Sequence, residues 1–468
     1  MLLVAVLALL TLVPFSSAKG PVPYSPIWLV TQGGAHSDVG WGVTIDDAGM
    51  VYFVGATTVP GPLADIFLTK VDPNDGATIW NVTFDGGGDD AAYQVLWAGD
   101  TLYVGGRSFN MTDHTLNMLV QAYSPSNGSL IWSTTWESAP GAGYHETDGI
   151  VLDGGYLYAT GWAAVPGRSE DIGLLKINAT TGQLVWAETW GTTGWDEANG
   201  DIVVDSDNIY VAGRYNSQSV LYGGKALIVS FQKSDGSYVK NVTWWEGSGE
   251  ADFLGMTGDS DYLYPVGISA TTGDRLVLQK YFHNLSMVWS ATWEGDKSES
   301  SRMVRISADG MGVYVAGQTA SYGNGGADAL LLEFDLDGNL LWSAIWGASL
   351  SDQPQGLALR GSFAYVSGQT TSFGAGSQDA FLGKFALPSL TATQSSSMST
   401  TTVVSRSSTS FTSSTSATTS SESTKPGGGI PEFPVQNVIT LAFTAAVLGA
   451  YLLARRGSPA HAGSRGQR

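Results

Sequence analysis

Between residues 27 and 387 the chain alternates short apolar runs with clusters of Gly, Asp, Asn and Ser, and no segment before Val435 carries the apolar period of a helix. Residues 40–84 show the underlying unit. GWGVTID (40–46), MVYFVG (50–55), DIFLTKVD (65–72) and ATIWNVTF (77–84) are rich in β-branched and aromatic residues, and PNDG joins the last two as a hairpin turn. These runs predict four strands, called a, b, c and d in chain order.

The unit recurs. Tyr-x-x-Gly inside a β-branched run occurs at Tyr52, Tyr103, Tyr158, Tyr210, Tyr264, Tyr314 and Tyr365, spaced 50 to 55 residues apart. A second series marks strand d: Trp28, Trp80, Trp132, Trp186, Lys240, Trp289 and Trp342. A further aromatic follows four residues on at Phe84, Trp136, Trp190, Trp244, Trp293 and Trp346. Positions i and i+4 of a strand share a face, so each pair lays one aromatic stripe. Seven such units predict an all-β, seven-bladed β-propeller of four-stranded blades, in which each sheet covers its aromatic face with the next. The phase of the repeat predicts its closure. The ordered part begins with a d-type strand, IWLVTQ (27–32), and ends with a c-type strand, DAFLGKFA (379–386). The N-terminal strand is therefore expected to complete the last blade and remove the open seam.

Segments such as DIFLTKVDPNDGATIWNVTFDGGGDDAAYQVLWAGDTLYVGG and DALLLEFDLDGNLLWSAIWG resemble the bacterial and archaeal β-propeller repeats often called SBBP, over roughly residues 27–387. The resemblance implies a propeller and an extracellular location more than any one activity. Unit five departs most: Lys240 replaces the Trp, Lys225 the Asp that opens strand c, and Pro265 falls inside the tyrosine strand, where an irregularity is expected.

The ends add an address. The apolar opening MLLVAVLALLTLVPFSSA (1–18) reads as a signal peptide. Residues 19–388 form the propeller, and residues 389–429, nearly all Ser and Thr at first, read as an O-glycosylated stalk. Residues 430–456 hold IPEFP, the apolar Val435–Ala454 and the Arg455–Arg456 pair, which predict a C-terminal transmembrane helix with 457–468 as a cytoplasmic basic tail. IPEFP with this helix is similar to the PEF-type sorting signals of archaea, which implies processing by an archaeosortase-like enzyme; helix retention is the competing expectation. The chain is thus expected on the extracellular side of the membrane.

Composition narrows the chemistry. A net charge of −20 argues against nucleic acid as a partner, and the absence of Cys removes disulfides and thiolate chemistry. Six sequons, at Asn81, Asn110, Asn127, Asn178, Asn241 and Asn284, are N-glycan acceptors in a host with the machinery. Each unit places a carboxylate in the d-to-a loop: Asp38, Asp90, Glu146, Asp196, Glu250, Glu299 and Asp352. Strand c opens with Asp65, Asn117, Asp171, Lys225, Asp274, Asp328 and Asp379. Strand alternation puts both sets on one face, which is expected to be acidic.

Two readings of the acids stay open. In one, each accepts backbone N–H groups of its own turn; in the other, they hold Ca²⁺ or another divalent cation as a cofactor. His36, His114 and His145 fall in loops of the same face, and with Glu146 they form a candidate metal or acid–base set. NATTGQLVW resembles the Trp-bearing strand of quinoprotein dehydrogenases, but those enzymes use eight blades, and packing between blades accounts for the Trp series. No nucleophile elbow or phosphate loop occurs.

These features favour a non-catalytic cell-surface protein that binds a glycan or a surface protein through the acidic loop face. The alternative is an extracellular enzyme, a quinoprotein-like oxidoreductase or a hydrolase, with its site at the axial opening. If the N-terminal strand closes the ring, deleting residues 19–33 strongly lowers the melting temperature of the soluble domain; an unchanged melting curve counts against closure.

Overall fold

The computed structural model describes residues 21–58, 63–217, 224–247, 249–270, 274–306 and 310–388. All belong to the first of two units into which the chain divides, Met1–Ser408. The expected signal peptide, stalk, sorting motif, membrane helix and tail lie outside the described residues.

Among the described residues there are twenty-nine strands and no helix, arranged in seven sheets. Six sheets contain the four consecutive antiparallel strands a to d; blade 1, for example, is Asp38–Ile45, Val51–Thr58, Ala64–Val71 and Thr78–Phe84. In the seventh, the c strand Asp379–Ala386 pairs antiparallel with Trp28–Gln32, from Trp28 opposite Lys384 to Gln32 opposite Ala380. Strands a of successive blades touch around the axis, and the last (Asp352–Arg360) returns to the first (Asp38–Ile45). The fold is a closed seven-bladed propeller. The repeat did not foretell one addition: Val22–Pro23 pairs parallel with Leu340–Trp346, the d strand of blade 6, and Tyr24 N–H donates to Ile345 O at 2.8 Å. The N-terminal segment therefore joins two blades rather than one.

No blade has a core of its own. The buried apolar residues fall into seven clusters, each shared by two neighbours; Tyr52, Val54, Ile66 and Leu68 of blade 1, for instance, pack on Ala92, Val95, Leu102 and Leu119 of blade 2. Every strand a also carries a register shift near its middle, such as Gly40/Val43 and Thr147/Gly149. Near this bulge the backbones of strands a and b come so close that a Cβ on Gly55, Gly106, Gly161, Gly213, Gly267 or Gly368 would meet a carbonyl oxygen of strand a at 1.8 to 2.1 Å. That approach explains the glycine of Tyr-x-x-Gly.

The tryptophan series has a second contact. The rings of Trp28, Trp80, Trp132, Trp186 and Trp289 lie on Gly76, Gly128, Gly182, Gly236 and Gly338, which sit at positive φ in the c–d turn of the next blade; an added Cβ would meet each ring at 2.7 to 3.0 Å. Indole N–H groups donate to the same turns, Trp28 to Pro73 O at 3.0 Å, Trp80 to Pro125 O at 3.3 Å, Trp132 to Ala179 O at 3.1 Å and Trp289 to Leu336 O at 3.0 Å. In four blades a strand-c Lys rests its ammonium over the tyrosine of strand b and donates to the turn as well: Lys70 to Pro125 O, Lys176 to Lys233 O, Lys280 to Leu336 O and Lys384 to Pro73 O.

Two departures follow from this contact. Blade 4 has Lys240 where the others have Trp, and the turn it should cover has Leu285 at φ 63° where the others have Gly. Leu285 is buried with Tyr210, Val242 and Trp244, filling space that an indole occupies elsewhere. Blade 7 has no c–d turn, because its d strand comes from the other end of the chain. Trp342 instead donates to Glu333 of its own blade, and Tyr24 packs 6.2 Å from its ring. Pro265 lies opposite Met256 of strand a, while the ladder to Asp274–Phe282 skips Tyr264 and Pro265, as a residue without an N–H requires.

The Lys240 and Leu285 pair is testable. Lys240→Trp alone should cost about 2 kcal/mol by overpacking against Leu285, and adding Leu285→Gly should recover most of it. A urea double-mutant cycle that is simply additive would refute the exchange.

Candidate functional site

The face formed by the d–a and b–c loops carries the predicted acids, and most of them point inward. Asp38, Asp90, Asp196, Glu299 and Asp352 are fully buried, Glu146 is buried and Glu250 is partly exposed. Asp38 accepts from Gly34 N–H and Thr58 N–H, Asp90 from Gly86 N–H and Phe109 N–H, Asp196 from Thr192 N–H and Asn216 N–H, and Asp352 from Ala348 N–H and Thr370 Oγ1. The same geometry recurs: one oxygen takes the N–H four residues back, closing the loop, and the other ties down the end of strand b. The backbone N–H of the acid bridges the blades, Asp38 to Gln378 O, Asp90 to Ala64 O and Asp352 to Ala327 O, at 2.7 to 2.9 Å.

Each of those bridges brings a strand-c acid of one blade beside a strand-a acid of the next. Burial pushes Asp328 up to about 6, with Asp352 adding to the shift, and Asp171 up to about 6, with Asp196 adding and Arg168 opposing. Asp65 and Asp379 are raised for the same reason, their neighbours being Asp85 and Asp90, and Asp38.

The histidines are placed apart. No three of His36, His114, His145 and Glu146 put ligand atoms within 4.8 Å of one another. His145 is buried, its Nε2 accepts from Ser138 N–H and its Nδ1 faces Leu116 O at 3.0 Å, so both ring nitrogens are used and burial lowers its pKa. His36 is exposed, and His114 lies 6.0 Å from the Phe109 ring. Of the sequons, Asn81, Asn127 and Asn284 are exposed and Asn110, Asn178 and Asn241 partly so.

The unrepeated chemistry sits elsewhere, at the upper ends of the inner strands. Directly after the close-approach glycine of strand b, the blades carry Ala56, Arg107, Trp162, Arg214, Ile268, Gln318 and Gln369. Around the two arginines a belt forms over blades 1 to 5. Trp41 packs edge-on to Tyr93 at 4.9 Å, and Arg107 lies against the Tyr93 and Tyr144 rings at 5.8 and 5.5 Å while pairing with Asp89 at 3.1 Å and Glu146 at 3.5 Å. Tyr144 donates to Glu146 and packs 5.9 Å from Trp162. The Trp162 indole N–H donates to Asn199, which donates to Asp252, which in turn lies 3.9 Å from Arg214. Arg214 pairs with Glu197. Trp41, Tyr93, Tyr144, Trp162 and Asn199 are all partly exposed.

Beneath the belt, Glu197 is pushed up to about 8, foremost by burial; Arg214 opposes this, while Asp252 and Glu170 reinforce it. Asp252, Glu197 and Glu250 all act on the one guanidinium of Arg214. Asp201, on the same strand, accepts from Gln94 at 2.5 Å, a contact from blade 4 to blade 2 that lies close to the axis.

Glu197, Asp201 and Trp195 do not recur in the other units. The missed signal was the residue after each invariant glycine, the one position beside the motif whose chemistry changes from blade to blade.

No family model and no curated protein matches the chain. Several solved structures match it at low identity. Sqt1 from Chaetomium thermophilum matches at 12% identity and a TM-score of 0.47, covering 79% of this chain and 100% of that one. The WD40 propeller domain of Doa1 matches at 12% and 0.46, covering 77% and 97%. A putative 6-phosphogluconolactonase from Bacteroides fragilis matches at 14% and 0.43, covering 68% and 86%. What defines the chain is its own topology, a seven-bladed β-propeller.

The Glu197 environment predicts a pH dependence. A carboxyl whose folded pKa is raised favours the fold fully below its unfolded value, about 4.3, and that contribution is lost as pH rises through about 8. Glu197→Gln should therefore gain on wild type, by about 3 to 4 kcal/mol, between pH 5 and pH 8. Urea midpoints at the two pH values measure this, and a difference that does not change with pH refutes it.

Proposed function

We propose that the chain is a cell-surface recognition protein, held at the membrane by its C-terminal segment and presenting the propeller on the Ser/Thr-rich stalk. The observation that carries the recognition reading is the part-exposed belt of Trp41, Tyr93, Arg107, Tyr144, Trp162 and Asn199. Flat aromatic faces alternating with an amide and a guanidinium suit a polyhydroxylated ligand, which stacks its apolar faces and hydrogen-bonds at its edges. A surface glycan is the ligand class this chemistry fits best. The repeated acids of the same face are buried against their own loops, which leaves recognition to residues that do not repeat.

The test pairs binding with location. Residues 21–388 should bind envelope glycans of the source cell on an array, and Tyr93→Ala with Trp162→Ala should weaken binding at least tenfold while leaving the melting temperature within a few degrees; equal binding by the variant overturns the reading. Protease treatment of intact cells should release the propeller, and a chain protected in intact cells overturns the surface placement.

A further inference from the structure

Three carboxylates meet where blade 1 joins blade 2. Asp65 opens strand c of blade 1, Asp85 follows strand d, and Asp90 immediately precedes strand a of blade 2; one ligand oxygen from each lies within 4.8 Å of the others. Two are partly committed: Asp90 accepts from Gly86 N–H at 2.7 Å and Phe109 N–H at 3.0 Å, and Asp85 Oδ1 from Gly87 N–H at 2.7 Å. Asp65 is different. It is only 7% exposed, it is turned towards the other two acids, and among the described residues no group donates to its carboxylate and no Lys or Arg pairs with any of the three. A carboxylate buried without a donor or counter-charge is costly unless something positive neutralises it.

The other junctions show how the chain answers this need. Between blades 2 and 3, Asn117 replaces the strand-c acid and Arg107 faces Glu146. Between blades 3 and 4, Arg168 pairs with Asp171 at 2.5 Å. Between blades 4 and 5 the strand-c residue is itself a cation, Lys225. The junction between blades 6 and 7 has the same shortage as the first: Asp328 is buried, its Oδ1 has no hydrogen-bond partner, and a Cβ on Gly347 would sit 1.8 Å from that oxygen and 3.0 Å from Asp352 Oδ2.

We infer that the junction of blades 1 and 2 binds a calcium ion through Asp65, Asp85 and Asp90. All the ligands are hard oxygens, and their spread suits an ion with Ca–O distances of about 2.3–2.6 Å, its remaining positions being filled by water on the exposed Asp85 side. The ion ties strand c of one blade to strand a of the next.

The test uses the full chain, stripped with chelator and dialysed. Calcium bound per chain, counted by atomic emission after equilibrium dialysis, should fall by one in Asp65→Asn. Asp85→Asn, a change at an exposed site that spares the core, should weaken that ion at least tenfold. Calcium should raise the wild-type melting temperature by several degrees, and magnesium at the same concentration by less. Calcium binding by both folded variants equal to wild type overturns the inference. So does a wild-type melting temperature that ignores calcium and rises only on acidification from pH 7 to pH 5, which would assign a shared proton to the cluster.

Discussion

The ring depends on an indole laid over a glycine of the neighbouring blade. A four-stranded sheet cannot bury two faces by itself, and with no cysteine in the chain no disulfide joins one sheet to the next. The contact between Trp and the turn glycine supplies both area and direction. A half-buried indole contributes about 2 to 3 kcal/mol by area, and its N–H finds a carbonyl on the same turn in four of the junctions. Four lysines of strand c converge on those turns too, their ammonium heads lying over the strand-b tyrosine and donating to the carbonyl. The exchange of Trp for Lys240 and of Gly for Leu285 shows that the constraint is steric and mutual. Once the ring is absent, the turn can carry a side chain, and that side chain then fills the gap.

The opposite face is joined by different means. There the blades meet through carboxylates that close their own loops and hand a backbone N–H to the preceding blade. Repeating an acid seven times around a narrow ring concentrates negative charge where water is excluded, and the chain has only 22 Lys and Arg against 42 Asp and Glu. Cations are therefore spent locally. Arg107, Arg168, Arg214 and Lys225 stand in one arc, on blades 2 to 4, and among the described residues acid pairs with raised pKa values and no such cation remain at the junctions of blades 1 and 2, 6 and 7, and 7 and 1. The N-terminal strand enters within this second arc, between Asp379 and Asp38.

The fold was legible because repetition multiplies weak signals. A single Tyr-x-x-Gly says little, but seven at an even spacing fix the number of blades, and the d-type start with a c-type end fixes the closure onto Lys384 and its neighbours. The pairing of Val22–Pro23 with blade 6 was not legible, because two residues carry no pattern and one of them is a proline. Candidate chemistry was less legible still. Sequence places His114, His145 and Glu146 on one face, yet it cannot show that Ser138 N–H already occupies His145 Nε2 or that Tyr144 and Arg107 hold Glu146. Burial of the acid ring was equally hidden, since loop carboxylates look the same whether they face water or their own backbone.

Repetition also shows where to look for function once its meaning is reversed. Residues that recur in every blade answer to the geometry of the ring, because the same contact must be made at each junction. The position after the strand-b glycine answers to no such demand: the bulge of strand a fixes the glycine, while the next side chain projects beyond the junction. It is free to be Ala, Ile or Gln in four blades, and it becomes Arg107, Trp162 and Arg214 in three consecutive ones. Those three are tied together by Tyr144 and Asn199, which are likewise confined to their own units. A scaffold has no use for such a run. Burying Glu197 and Asp252 beside Arg214 costs stability that a plain apolar junction would keep, and the aromatic and amide groups around them are part-exposed.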